Sequence, residues 1–524
     1  MQEAKPEQEW LEHAQALMLR GELARAEALI SDALKDYPSS FALRRILAGI
    51  RIQAGREAEG EALLTQLFAE RPEEIGNAFT LARTLANQSK GAAAARVLRT
   101  HFQRSRTDPE LAIQAIELLD DCGRKRDAAE IAELAVAAAP EDFRLYAYAG
   151  MLESQLGNFP QARARYLRAM DAPLACEWHM PLGLALMQRY HDAQHPDFAL
   201  FRDCLARGDL SAKARSSLLF AFAKAYDDIG EYARAASYSR EANALAHAAT
   251  KWSRENWRME VEARLNAGPI DRAEPLADFN PIFIVGLPRS GTTLVAELLA
   301  HFPQVCNRGE SPWLATLAEQ GSPRGQPHGT TLQNAAVTYA THMRRDDAPS
   351  SRWFIDKQPL NLRYIDLILA LFPNARIVHC TRNPRDNALS LWMQSFSEDV
   401  QGYAYDFSDM AFVMQDCARL MSQWRTRYQD TIHEVKYEQL VASPSHVIAD
   451  LAGALGLAPQ SSDQLALPAT PGEISSASLW QARQPIYARS VDRWKNYIRF
   501  LPELLGFPAC EPAQGTDQPD WNSR

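Results

Sequence analysis

A recurrence of glycine every 32 to 36 residues constrains this chain more than any other feature. Gly21, Gly55, Gly91, Gly123 and Gly157 lie 34, 36, 32 and 34 residues apart, and Gly230 follows at about twice that interval. Five residues after these glycines stand Ala26, Gly60, Arg96, Ala128, Ala162 and Ala235, with Arg96 alone breaking a small-residue rule. A second small position recurs at Ala33, Ala135, Ala169 and Ala242, and prolines follow at Pro38, Pro72 and Pro140, with Pro109 and Pro173 one residue out of phase. This is the logic of a helix pair. A glycine turn ends one helix, small side chains let the next pack close, and proline stops it. The first half is also rich in Ala, Leu, Arg and Glu, which favour helix.

With a period near 34, these positions resemble the tetratricopeptide repeat. The expectation is about six helix pairs in a right-handed solenoid over 1–265, with 174–210 fitting poorly. A solenoid groove suits a peptide or protein partner. The same surface serves equally as a dimerisation arm, giving a homodimer, or as a rigid spacer.

The remaining totals narrow the class. The chain has 524 residues and a formal charge of −9, from 56 basic and 65 acidic residues. That argues against a general nucleic-acid binder, so any basic patch is local. The N-terminal segment has no apolar signal core, and no run approaches a membrane span, so no membrane partner is expected. Seven cysteines without a CxxC or Cys/His cluster argue against a disulfide framework or structural zinc, and a reducing cytoplasm fits.

The texture changes at 266–281, where Pro269, Pro275 and Pro281 interrupt an irregular stretch. Beyond it, short β-branched runs alternate with helical patterns, which predicts an α/β domain with a parallel sheet over 278–508. The polar tail, 509–524, reads as disordered. Residues 282–285 read as a buried strand, and Leu294, Val295, Leu298, Leu299 and Phe302 fall at helical spacing. Between them lies Gly286-Leu-Pro-Arg-Ser-Gly-Thr-Thr293. A tight loop from strand to helix N-terminus aims backbone N–H groups at an anion. In the phosphate-loop pattern GxxxxGK[ST], the lysine position is Thr292 here, and Arg289 supplies a cation within the loop instead. No apolar strand ends in an acid to hold magnesium; the later strand, 375–381, runs into Arg382. The loop therefore suits a phosphate donor that needs no metal.

Pro288-Arg289-Ser290-Gly291-Thr292-Thr293 after an apolar strand resembles the 5′-phosphosulfate loop of sulfotransferases. These use 3′-phosphoadenosine 5′-phosphosulfate (PAPS). Arg382-Asn-Pro-Arg-Asp-Asn-Ala-Leu-Ser390 resembles the family's second element, with Arg382 and Ser390 expected to converge on the 3′-phosphate. The nearest branch is that of tyrosylprotein sulfotransferases, with bacterial proteins that join tetratricopeptide repeats to such a domain. The likeness covers roughly 280–500.

The resemblance implies several roles. Glu310, after the loop helix, takes the place of the general base. Lys357, in Asp356-Lys357-Gln-Pro359, and Ser478 take those of catalytic residues, with Arg289 beside them. Tyr437 matches a nucleotide contact, and Pro485 and Trp494 keep family spacing. Arg493 stands where the family has a phosphate-binding lysine, a change that keeps charge and alters geometry. Tyr487 and Arg489 are further donor contacts. Another branch uses a His base, and His301 and His379 are present, though both read as packing beside the sheet or sitting at a helix end. Segments 318–350 and 397–410 are expected to form an acceptor lid. The implied reaction is transfer of a sulfuryl group from PAPS to the hydroxyl of a peptide tyrosine, a glycan or a small molecule. A phosphate-loop kinase or nucleotidase, and an inactive repeat scaffold, are the alternatives.

Overall fold

The structure, a computed structural model, describes residues 6–105, 108–320, 331–347, 351–396, 399–457 and 488–508. Ser478, Pro485, Tyr487, the tail and parts of both expected lid segments lie outside the described residues. The chain packs as two compact units, Met1–Ala169 with Arg344–Pro349, and Met170–Met343 with Ser350–Arg524.

The first unit contains five antiparallel helix pairs. They are Glu7–Leu19 with Leu23–Asp36, Phe41–Gln53 with Glu57–Glu70, Ile75–Asn87 with Gly91–Arg104, Pro109–Asp121 with Lys125–Ala138, and Phe143–Leu156 with Phe159–Ala169. The turns inside the pairs are taken in the left-handed region by Gly21, Gly55, Ser89, Gly123 and Gly157, with φ of 74°, 77°, 60°, 70° and 90°. These positions are 34 residues apart throughout. Gly91 is therefore not the turn residue of its repeat. It opens the following helix, and Ser89 takes the strained turn.

That shift also corrects the small-residue phase. The buried position five residues on is Ala94, beside Ala26, Gly60, Ala128 and Ala162, while Arg96 points to solvent. The need for small side chains is steric. A Cβ on Gly60 would stand 2.5 Å from Ile52 Cγ1 and 2.8 Å from the Ala48 carbonyl oxygen.

The helix opening at Gly91 has no cap of its own. The Asp346 carboxylate accepts from the amides of Ala92 and Ala93 at 2.8 and 2.9 Å, and Arg345 donates to the Cys122 carbonyl at 3.0 Å. Residues from far along the chain thus satisfy helix ends in the third and fourth repeats.

The repeat signature continues into the second unit. Gly230 has φ 82°, and Ala235 and Ala242 are fully buried between helices Ala212–Asp228 and Tyr232–Ala249. This pair packs with the sheet-bearing part. Asn243 donates to the Trp392 carbonyl at 2.9 Å, the Trp392 indole donates to Ser239 at 3.2 Å, and Arg240 pairs with Glu503 at 2.8 Å. Helix Arg254–Leu265 follows suit through Arg258 and the buried Asp416, 3.0 Å apart. Residues 170–265 therefore share their packing unit with the α/β part, although some of them carry repeat spacing.

The sheet has five strands: β1 (Asn280–Gly286), β2 (Val305–Asn307), β3 (Trp353–Asp356), β4 (Arg376–Thr381) and β5 (Ile432–Lys436). Their order is β2-β3-β1-β4-β5, and every pairing is parallel. β1 is central, with Ile282 to Val285 fully buried, as a strand covered on both faces requires. One face packs on Val295, Leu299 and Leu451; on the other, Phe283, Tyr339 and Phe372 make an aromatic layer. The connections go from β1 to one side and then return to the other at β4. The carboxyl ends of β1, β3 and β4 flank that switch, where open α/β sheets place ligands. No helix among the described residues is long and apolar enough to cross a membrane.

Candidate functional site

The loop after β1 is held by close approach. A Cβ on Gly286 would lie 2.4 Å from the Cys380 carbonyl oxygen on β4. Arg289 has φ 71° and Gly291 φ 95°, so the chain turns through two left-handed residues before helix Thr292–Leu299 begins. Arg289 bears this strain without being glycine, a feature that concentrates at functional sites. Gly291 is also sterically required, since a Cβ there would meet Tyr437 Cδ2 at 2.6 Å. Ser290, Thr292 and Thr293 are buried. The Ser290 hydroxyl has no hydrogen-bond partner among the described residues.

The end of β4 supplies the second wall. Arg382 donates to the Arg289 carbonyl at 2.9 Å and the Ser490 carbonyl at 2.7 Å, and its guanidinium lies 4.7 Å from the Tyr437 ring centre. Its Nε has no partner among the described residues, and burial lowers its pKa. Helix Pro384–Trp392 starts at a proline, capped by Asn383 through the Arg385 amide at 3.0 Å. Ser390, two turns on, accepts from Arg289 Nε at 3.1 Å. The structure thus brings Pro288–Thr293, Arg382, Ser390 and Tyr437 together, with Ser390 bonded to the loop arginine.

Sequence reasoning missed two neighbours in that helix. Asn387 donates to the Pro288 carbonyl at 3.0 Å. Asp386 accepts from the amides of Asp492 and Trp494 at 2.7 and 2.9 Å, which seats segment 490–497 over the helix start. Both stand inside the Arg382–Ser390 motif, but nothing in their spacing says that they bond backbone so far away. In the seated segment, Arg493 pairs with Asp227 at 2.6 Å and adds to the lowering of the Arg382 pKa. Trp494 lies against Arg385, 4.6 Å from its guanidinium.

The third wall comes from β2 and β3. Beyond β2, Arg308 N–H donates to the Ile355 carbonyl at 2.9 Å, and Lys357 N–H to the Gly309 carbonyl at 2.8 Å. Glu310 follows and forms an ion pair with the Lys357 ammonium. The Lys357 side chain is 5% exposed, whereas that of Glu310 is 39% exposed and open to a reactant. Asp356 is fully buried beside them and accepts from the Tyr339 hydroxyl. Burial raises its pKa to about 7, although the Tyr339, Ser311 and Lys357 contacts act in the opposite direction.

The two histidines are occupied elsewhere. His301 Nδ1 donates to the Glu297 carbonyl at 2.8 Å at the end of the loop helix. His379, within β4, accepts from Arg425 at 3.0 Å, and burial holds its pKa down to about 4. Of the expected lid segments, 332–344 is helical. Residues Asp399–Tyr405 form a 3₁₀ turn leading into helix Phe407–Arg427.

Residues 281–461 match the profile of a family described as the Sulfotransferase family. A protein-tyrosine sulfotransferase of Drosophila melanogaster is 31% identical over 182 residues, covering 31% of this chain and 35% of that protein. An uncharacterised protein of Aquifex aeolicus (strain VF5) is 30% identical over 242 residues, covering 43% of this chain and 32% of that one. The chain thus spans about a third of the length of these curated relatives. Among solved structures, the sulfotransferase domain from the Synechococcus PCC 7002 olefin synthase aligns with TM-score 0.33 and 20% identity, covering 47% of this chain and all of that one. Residues 281–461, the part that is similar to the sulfotransferase family, build the central sheet and the loop after β1.

Proposed function

We propose that the protein transfers a sulfuryl group from PAPS to an acceptor hydroxyl, with Glu310 as general base. The observation that supports this most is the joining of three walls. A strained loop with Arg289 and a buried Ser290 hydroxyl meets Arg382 from β4, while the Glu310–Lys357 pair stands at the end of β3. The buried Ser290 hydroxyl and Arg382 Nε, without partners among the described residues, suit the phosphate oxygens of such a donor.

The donor supplies an activated sulfuryl group on its 5′-phosphate. The loop amides, Ser290, Thr292 and Thr293 hold that phosphate, and Arg382 holds the 3′-phosphate. Ser390 orients Arg289 toward the transferring group through their bond. Glu310 takes the acceptor proton as the new S–O bond forms and the bond to the 5′-phosphate oxygen breaks. Lys357 is the buried cation that stabilises charge on the departing oxygen. The products are a sulfate ester and 3′,5′-ADP. Such loose, in-line transfer depends on positioning and electrostatics more than on covalent chemistry. The Drosophila relative's name makes a peptide tyrosine the first acceptor to test.

The test is calorimetric titration with 3′,5′-ADP beside Mg·ATP, without acceptor, followed by PAPS turnover. Binding of 3′,5′-ADP without metal, together with loss of transfer by about 100-fold or more in Glu310→Gln while binding persists, is the expected result. Binding of Mg·ATP alone would move the reading to a kinase, and unchanged turnover in Glu310→Gln would remove the base assignment.

A further inference from the structure

Glu310 stands against Lys357, which follows Asp356, the last residue of β3. The residue before Glu310, Gly309, has φ 69° and gives its carbonyl to Lys357 N–H at 2.8 Å. The residue after it, Ser311, is buried. Glu310 then reaches back to the Lys357 ammonium. Lys357 therefore fixes the backbone before the proposed base and also holds its side chain, and Asp356 stands directly before Lys357.

Asp356 is itself fully enclosed. It ends β3, in register with Phe283 of β1. Its carboxylate accepts from the Tyr339 hydroxyl of helix Leu332–Arg344 and, at 3.5 Å, weakly from Asn361. A buried carboxylate that collects donors from separate segments is costly unless each bond is made. It also defines a geometry, because those segments must meet around two oxygens.

We infer that Asp356 is a positioning residue for the transfer reaction, anchoring the end of β3 to helix Leu332–Arg344 so that Lys357 faces Glu310. This rests on the proposed reading of Glu310 and Lys357. The titratable groups that face Asp356 are Tyr339, Lys357 and Glu310. Its pKa, raised to about 7 by burial, agrees with a carboxylate retained despite its desolvation. It touches none of the loop residues proposed to bind phosphate, so its effect falls on transfer and not on donor affinity.

The experiment compares Asp356→Ala and Asp356→Asn in the full chain. Three quantities are read: 3′,5′-ADP affinity by calorimetry, PAPS turnover, and acetylation of Lys357 by trace acetic anhydride, followed by mass spectrometry. Affinity is expected within about twofold of wild type. Turnover falls on the order of 100-fold in Asp356→Ala, the scale of a misplaced catalytic group, and about tenfold in Asp356→Asn, whose amide still accepts one bond. Lys357 acetylation rises in both variants. Wild-type turnover and wild-type Lys357 protection in either folded variant would overturn the inference. Asp356→Asn keeps the volume and decides the matter if Asp356→Ala does not fold. If wild-type protein neither binds 3′,5′-ADP nor consumes PAPS, the functional reading fails, and Lys357 acetylation alone still shows whether Asp356 holds the pair.

Discussion

Replacing Asp356 by asparagine should change how stability depends on pH, in a direction set by linkage. Burial raises the carboxyl from 3.8 to about 7 in the folded protein. Between those values the unfolded chain has released a proton that the folded chain keeps. The stability that Asp356 contributes is therefore fully present below pH about 4 and is lost as pH rises through about 7. At about 1.4 kcal/mol per pH unit, the whole span is worth about 4 kcal/mol, and the range from pH 5.5 to 7 about 2 kcal/mol. Asp356→Asn keeps the shape and removes the titration. The difference in unfolding free energy, wild type minus variant, should fall by about 2 kcal/mol from pH 5.5 to 7 and then level off. Urea titrations followed by tryptophan fluorescence measure it. Eight of the nine tryptophans among the described residues lie in the second unit, so the signal reports the right part of the chain. A difference that stays flat over this range, or grows with pH, would refute the reasoning.

Three other substitutions test separate parts of the structure. Arg382→Ala should weaken 3′,5′-ADP binding by on the order of 10- to 100-fold in calorimetry, and Arg382→Lys should recover little, because an ammonium cannot span the Arg289 and Ser490 carbonyls as a guanidinium does. Gly291→Ala combines left-handed strain of about 1–2 kcal/mol with a clash on Tyr437 and should cost about tenfold or more in the same affinity; Gly309→Ala has similar strain with open space around its Cβ and should leave that affinity unchanged. In the repeats, Ala94→Leu should destabilise the first unit by about 1–3 kcal/mol, while Arg96→Ala should stay within about 0.5 kcal/mol; helix-band circular dichroism in urea distinguishes them, and the reverse order would reject the corrected repeat phase.

The repeat shows how far periodicity carries and where it slips. Glycine and alanine positions are legible because helix pairs demand small side chains at fixed spacing. The third repeat misled because a serine can occupy a left-handed turn at modest cost, so the visible glycine at position 91 was not the structural one. A local pattern likewise cannot say which unit a helix joins. Gly230, Ala235 and Ala242 repeat the signature, but Asn243, Ser239 and Arg240 bind that helix pair to elements about 150 to 260 residues later.

At the site, the strand–loop–helix and the Arg382–Ser390 element were readable because phosphate recognition is local. A left-handed loop and a helix start are properties of a few consecutive residues. The pairing of Glu310 with Lys357, the bond from Ser390 to Arg289 and the capture of Arg493 by Asp227 were decided only in three dimensions. So was Asp356, which reads in sequence as an ordinary acid at the end of a short strand. The donor it needs there, the Tyr339 hydroxyl, arrives from another segment. Sequence alone determined the two kinds of architecture and the phosphate-type loop, since both follow from short-range sterics and periodicity. The partners of each charged group belong to the tertiary structure, because desolvation and ion pairing depend on which distant segments meet.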